Sequence, residues 1–326
     1  MVAVVDLSRD DFLVSSAYSS NTAIRYRQAV DAFMKWVIIP ANECTLNGLD
    51  DYDHALFKYL HHLYRCGRGK SYATDTFYGL CMKLPRVKSF LLSSRLALRG
   101  YHRLLPSKSW FPVSWRVTTV IACWMARHRR PLYGLGALLS FDCLLRISDL
   151  INLRTNDIAF GDDSRFDDIY GKMFIRIRKS KTGINQGVAV NDPHIKHMVK
   201  CLIESFPSTR SKKNTIANRL FPFSGNQFRR WLRKACVALG LPQYTHHSFR
   251  HGGATRDYIN GVKVEDIMVH GRWASTKSAR HYIQAGRQIL MATHVPQWVA
   301  DVGSDIVQDL SGWFDYYMSL GIGSDI

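Results

Sequence analysis

The chain is short of acid. Its 326 residues hold 26 Asp and Glu against 44 Lys and Arg, a formal net charge of +18. A small-molecule metabolic enzyme has no use for such an excess, whereas a polyanion does: nucleic acid, or an anionic membrane surface. Long apolar runs are missing as well. No stretch approaches the ~18–20 uncharged apolar residues of a spanning helix, so no membrane role is expected. The N-terminus, MVAVVDLSRDDFL, is acidic where a signal or transit peptide is basic. The seven cysteines are scattered, odd in number and never in a Cys-x-x-Cys pair. That argues against a disulfide framework or a structural zinc site and for a reducing compartment. They read as free core thiols. Convincingly clustered carboxylates, which would hold a catalytic metal, are also lacking. Asp162-Asp163 and Asp167-Asp168 fall in a loop with Gly and Ser and read as solvated. No internal repeat and no long low-complexity run is present.

What is there is a chain long enough for about two domains, with 46% hydrophobic residues to build their cores. The first third has a helical period. Ser19 to Thr22 supplies capping side chains before an apolar stripe at Tyr26, Val30, Phe33 and Val37. A second stripe, Leu56, Leu60 and Leu63, closes at Gly67, and a third runs from Val87 to Leu98. Pro106-Ser107-Lys108-Ser109 and Pro112 mark a linker. The expected domains are therefore 1–107, helical, and 113–326. The second opens with a helix over 117–128, a basic cluster Arg127-His128-Arg129-Arg130, and a buried helix over 132–145. Between Tyr170 and Val190 the period changes to two: Met173, Ile175 and Ile177 alternate with Phe174, Arg176 and Arg178. A return strand carries Val188 and Val190, so a hairpin or a small sheet is predicted there. Helical patterns resume over 226–239, stopping at Gly240 and Pro242. An amphipathic stripe at Ile306, Leu310, Trp313, Phe314 and Tyr317 ends the chain, packed either on its own domain or on a neighbour. The fold class predicted is mainly α with a small antiparallel β-sheet.

Breaking a phosphodiester requires a nucleophile in line, stabilisation of charge on the non-bridging oxygens, and a proton for the leaving oxygen. Without metal-binding carboxylates, arginine forks can do the second task. Arg146 lies in Leu145-Arg146-Ile147-Ser148-Asp149. A charge among apolar residues must pair, here with Asp149, or point into a site. His247 and Arg250 are three apart and share a helical face. Tyr282 follows Ser275-Thr276 on a short helix. Each alone is also an ordinary surface or core residue; the signal is their combination and order.

That order resembles the tyrosine recombinases, the phage integrase family. Leu145 to Leu150 is similar to the family's first arginine box, and Thr245-His246-His247-Ser248-Phe249-Arg250-His251-Gly252 to its His-x-x-Arg box. Gly271-Arg272-Trp273 through Tyr282 is similar to its last box, with Trp or His nine positions before the nucleophile. Lys181 matches its mobile hairpin lysine, with Lys179 as a rival. Trp273 stands where many members carry His, and Asp149 where Glu is commoner. The resemblance covers roughly 117–284. It implies a helical core-binding domain followed by a mixed α/β catalytic domain. It also implies strand cleavage through a 3′-phosphotyrosine at Tyr282, a phosphate clamp of Arg146 and Arg250, and Lys181 as general acid. His247 would assist proton transfer, Trp273 would bond the phosphate and pack the nucleophile helix, and Asp149 would orient Arg146 or His247. No cofactor and no metal is implied. The partners implied are a double-stranded DNA target and further copies of the chain in a synaptic tetramer, with an intracellular, DNA-associated location. Integration or excision of a mobile or viral element is the expected role. DNA relaxation or end resolution by the same chemistry, or non-catalytic DNA binding, are the alternatives. Arg25, Arg27, Lys35, Arg65, Arg68, Lys70, Arg229, Arg230, Arg233 and Lys234 are candidate DNA contacts, most of them to phosphate. His246, His251, His270 and His281 read as ordinary polar helix residues.

Overall fold

The computed structural model describes residues 17–106, 110–161, 171–180, 183–205 and 219–321, with side chains up to 316. Asp162, Asp163, Asp167, Asp168 and Lys181 lie outside the described residues. The chain divides into two compact units, Met1–Lys108 and Ser109–Ile326. It is mainly helical with one small antiparallel sheet.

The first unit holds α1 (Ser20–Val37), α2 (Leu49–Arg65), α3 (Lys70–Lys83) and α4 (Leu92–Leu104). Ser19 caps α1 by accepting the Thr22 N–H. Val30, Phe33 and Val37 then meet Leu56, Leu60 and Leu63 of α2 in a single core. Each large apolar side chain buried there contributes about 1.5–3 kcal/mol. Gly67, at φ +65°, ends α2 in the left-handed conformation. The third stripe is not one helix. Pro85–Ser89 forms a 3₁₀ turn, and α4 starts at Leu92 because the Asp53 carboxylate accepts the Ser93 and Ser94 N–H groups at 2.9 and 2.8 Å. Val87 and Leu91 both reach the core across the break. Helix α3 was not apparent from the apolar pattern. Its buried face is Ala73, Thr76 and Gly79 around only two large residues, Phe77 and Leu80.

The second unit opens with α5 (Trp115–Arg127) and α6 (Pro131–Asp142). Ten of the twelve residues of α6 are buried, which places it at the centre of the core. The helix stops at Asp142 rather than at Leu145, because Leu144 adopts φ +49°. Next come α7 (Ile147–Ile151), β1 (Ile158–Phe160), β2 (Met173–Ser180) and β3 (Gly183–Val190). The sheet order is β1-β2-β3 and both pairings are antiparallel. Met173 pairs with Val190 and Ile175 with Val188, so the alternating residues face the core. At three residues, β1 is too short for its alternation to register in the sequence. Helices α8 (Pro193–Glu204), α9 (Gly225–Ala238), α10 (His246–Ile259), α11 (Val264–Gly271), α12 (Thr276–Tyr282) and α13 (Ala285–Ala292) follow. The unit closes with α14 (Gln297–Gln308) and α15 (Leu310–Gly321). The C-terminal stripe packs on its own domain: Ile306, Leu310 and Phe314 are buried in the core of the second unit. Trp313 is exposed, and the Tyr317 side chain lies outside the described residues. Among the described residues no helix is long and apolar enough to cross a membrane.

Candidate active site

Close backbone contact places the His-x-x-Arg box. Gly252 and Gly253 face the preceding segment so tightly that a Cβ would sit 2.0 Å from the Val113 carbonyl oxygen and 2.1 Å from that of Phe141. Only glycine allows α10 this near α6. One turn earlier, buried His246 pins the start of the helix, its Nε2 lying 2.9 Å from Ser140 Oγ on α6. Arg250 is thereby driven inside, with no exposed surface. Its guanidinium donates to the carbonyls of Leu144 and Gly271. Leu144 presents its carbonyl from a left-handed backbone, φ +49°, which a leucine rarely adopts.

The last box folds over this arginine. A Cβ on Gly271 would lie 1.9 Å from Trp273 Cζ3, so a glycine is required for the indole to lie across the turn. The Trp273 ring then stacks on the Arg250 guanidinium, with Cζ 4.3 Å from the ring centre. Tyr282 completes the stack. Its ring centre is 4.7 Å from that of Trp273 and 4.5 Å from that of His251, and Arg250 Cζ lies 5.2 Å above it. Its main chain is tied to α10 as well. The Tyr282 carbonyl accepts from His251 Nδ1 at 3.2 Å and from Thr255 Oγ1 at 3.4 Å, and Thr255 Oγ1 accepts the Gln284 N–H at 3.0 Å. The tyrosine is thus held against the arginine box through its ring and through its backbone.

Arg146 is the N-cap of α7. Asp149 Oδ2 accepts its backbone N–H at 3.1 Å and lies 3.9 Å from its Nη1. The Arg146 guanidinium thus stands near the carboxylate but beyond hydrogen-bond distance of it. His247, in the first turn of α10, is more exposed. Burial, Arg250 and Arg146 together push its pKa below the ordinary histidine value, which also sets these three groups in one neighbourhood. Burial, Arg146 and Arg272 likewise lower the pKa of Arg250. The same oxygen of Asp149 also meets Arg272 Nη2 at 3.0 Å. Three guanidiniums around one carboxylate leave a local surplus of two positive charges. Asp149 contacts Arg146, Ser148 and Arg272 rather than His247. Among the buried donors of the cluster, Arg146 Nη1, Arg250 Nε and Trp273 Nε1 have no hydrogen-bond partner among the described residues. Buried donors are almost always satisfied, so an anionic oxygen at this place would meet an unfilled need.

The structure brings together Arg146, His247, Arg250, Trp273 and Tyr282. Lys181 lies outside the described residues; Lys179 is an exposed residue of β2, paired with Ile184. Sequence reasoning passed over Arg272. The available signal was the one that singled out Arg146, a charge inserted into a tight, apolar setting between Gly271 and Trp273. Of the other histidines, His270 has its Nε2 2.8 Å from the Asp142 carbonyl. Among the described residues no three His, Cys, Asp or Glu side chains are grouped to hold a metal.

Two of these histidines predict an acid limit to stability. Burial, followed by His247 and Arg250, pushes His246 down to about 3. Burial also pushes His251 down to about 4 against the opposing bond to the Tyr282 carbonyl. Both are neutral when folded, and unfolding restores values near 6.5. The unfolded state thus binds more protons between pH 4 and 6.5, and stability falls as pH drops through that window. At pH 5 each site should cost about 2 kcal/mol relative to pH 8. Denaturation at a series of pH values should show this slope, and His246→Gln should flatten it. An unchanged slope in that variant would remove His246 as its source.

Residues 132–288 match the model of the phage integrase family. The match includes every residue of the cluster. No curated protein matches the chain. Solved structures give the fold. The Tn1549 transposon integrase (residues 82–397), in complex with circular intermediate DNA, superposes with a TM-score of 0.54 at 13% identity, covering 82% of this chain and 98% of that one. Lambda integrase (residues 75–356), a dimer bound to a COC′ core site, gives 0.51 at 16% identity, covering 84% and 92%.

Proposed function

We propose that this chain is a site-specific DNA recombinase that cuts and rejoins strands through a 3′-phosphotyrosine intermediate. The observation that carries the reading is the stack of Tyr282, Trp273 and Arg250 beside Arg146, with Arg250 Nε and Trp273 Nε1 buried and unpartnered. A scissile phosphate seated there receives the surplus positive charge and both waiting donors. The Tyr282 oxygen attacks phosphorus, with His247 as acceptor of the phenol proton; its depressed pKa keeps the imidazole neutral at physiological pH. The bond to the 5′ oxygen breaks and that oxygen takes a proton, assigned here to Lys181. The phosphodiester energy stays in the protein–DNA bond, and a 5′-hydroxyl reverses the step without ATP. Arg146 and Arg250 hold the non-bridging oxygens as their charge develops.

The partner is double-stranded DNA, in line with the net charge of +18 and with solved integrases of this fold that hold DNA. Exchange between two duplexes requires a tetramer. Since Ile306, Leu310 and Phe314 are covered by their own domain, the contacts between protomers are assigned to other surfaces. Integration or excision of a mobile or viral element is the role such chemistry serves. The test uses duplex DNA from the borders of the native element. A denaturation-resistant protein–DNA adduct, followed by recombinant product when two duplexes are supplied, supports the reading. An adduct without exchange leaves a relaxing or end-resolving enzyme, and DNA binding without an adduct leaves a non-catalytic relative.

Alanine at Arg146 or Arg250 should slow single-turnover cleavage on the order of 10²–10³-fold, the scale of losing one preorganised oxyanion donor. Arg250→Lys separates charge from geometry: it keeps the cation and loses the fork that reaches Leu144, Gly271 and phosphate together. Near-wild-type rates in both alanine variants would refute the clamp.

A further inference from the structure

We propose that Arg272 is a positioning residue for strand cleavage: its ion pair with Asp149 keeps that carboxylate from neutralising Arg146. The inference rests on the recombinase reading and adds a residue outside the six expected from the sequence.

The geometry turns on one oxygen. Asp149 Oδ2 accepts the Arg146 backbone N–H at 3.1 Å and the Arg272 Nη2 at 3.0 Å, while Arg146 Nη1 stands off at 3.9 Å. The Asp149 side chain is fully buried and that of Arg272 is 2% exposed, so neither charge is relieved by solvent. A buried carboxylate must be compensated. With Arg272 in place, that demand is met from behind, and the Arg146 guanidinium, 16% exposed, stays beyond hydrogen-bond distance of the carboxylate. Without Arg272, the nearest cation to Asp149 is Arg146 itself. The carboxylate would draw it in and compete with the phosphate.

The backbone at Arg272 supports the same conclusion. The residue caps α11 at φ +56°, a left-handed position where glycine is favoured and arginine is strained. Glycine stands one place earlier, at 271, under the Trp273 ring. A side chain is retained where its absence would suit the backbone better. Arg272 Nη2 also donates to the Leu144 carbonyl at 3.3 Å, the oxygen that Arg250 uses. One residue therefore joins the first arginine box, the His-x-x-Arg box and the turn before the tyrosine helix.

The test compares two substrates in wild type and Arg272→Met, assayed at a temperature where both proteins are folded. One is normal duplex. The other carries a methylphosphonate at the scissile position, which removes a non-bridging charge and so the need for a free Arg146. Expected is a 10²–10³-fold loss in cleavage rate on normal DNA, with at least a tenfold smaller deficit on the methylphosphonate, while non-covalent DNA affinity stays nearly constant. In Arg272→Met the second change Asp149→Asn, which removes the uncompensated carboxylate, should return part of the rate on normal DNA. An equal deficit on both substrates, or no recovery in the double variant, overturns the proposal and leaves Arg272 as a purely structural ion pair. If wild type itself forms no adduct, the recombinase reading falls and takes this proposal with it. That outcome is read from the control and is distinct from failure of the variant.

Discussion

Tyr282→Phe abolishes covalent attachment to DNA and leaves non-covalent binding nearly intact. The substitution removes one oxygen and keeps the ring. The contacts that hold the residue belong to the ring and the main chain: the Trp273, His251 and Arg250 side chains against the ring, and bonds from His251 and Thr255 to the carbonyl. None needs the phenol oxygen, so the site stays assembled and the melting midpoint should move little. The rate should fall on the order of 10⁶-fold, the scale at which an enzyme loses its covalent nucleophile. The measurement is a denaturing gel of protein incubated with end-labelled duplex. Labelled DNA still migrating with the Phe variant would sink the assignment of Tyr282. A collapse of DNA affinity in the same variant would instead mean that the phenol is part of the binding surface.

Much of this arrangement could be read from the sequence, for reasons that differ by residue. The arginine, His-x-x-Arg and tyrosine boxes are local strings whose order survives folding, and each sits where a tight turn or helix start fixes its geometry. The His-x-x-Arg box marks Arg250 as a candidate, but its complete burial was not legible. That follows from Gly252 and Gly253, whose role appears only once the Val113 and Phe141 carbonyls are seen against them. Arg272 is not legible in the sequence because its partner, Asp149, is 123 positions away. The resemblance implies that Asp149 orients Arg146 or His247. In the fold it serves the backbone of Arg146 and the guanidinium of Arg272. At the level of elements, amphipathic stripes with large residues, as in α1 and α2, announced themselves. The small-residue face of α3 and the three-residue β1 did not. The end of the buried helix was placed three residues late, since nothing in a run of apolar residues signals that Leu144 turns left-handed. That turn presents the carbonyl shared by Arg250 and Arg272.

Lys181→Ala should be severely slow on normal DNA and largely rescued when the 5′-bridging oxygen is replaced by sulfur. The reasoning is chemical. A 5′-alkoxide is a poor leaving group and must be protonated as the phosphodiester breaks, whereas a thiolate departs without a proton. A residue that only donates that proton becomes dispensable on the sulfur substrate; a residue that positions phosphate does not. General-acid catalysis contributes about 10²–10⁴-fold, which sets the expected deficit on normal DNA. The same comparison discriminates the neighbouring lysine. Lys179 is an exposed residue of β2 whose backbone pairs with Ile184, so Lys179→Ala should lose no more than a phosphate contact and be mild on both substrates. Arg146→Ala provides the internal contrast, because a clamp on the non-bridging oxygens stays necessary with sulfur in the bridge, and no rescue is expected there. Should Lys181→Ala be impaired equally on the two substrates, the lysine positions phosphate and the proton comes from elsewhere. His247 is then the next group to test, since it lies in the electrostatic reach of both Arg146 and Arg250 and carries a ring that can accept a proton from Tyr282 and return one to the leaving oxygen.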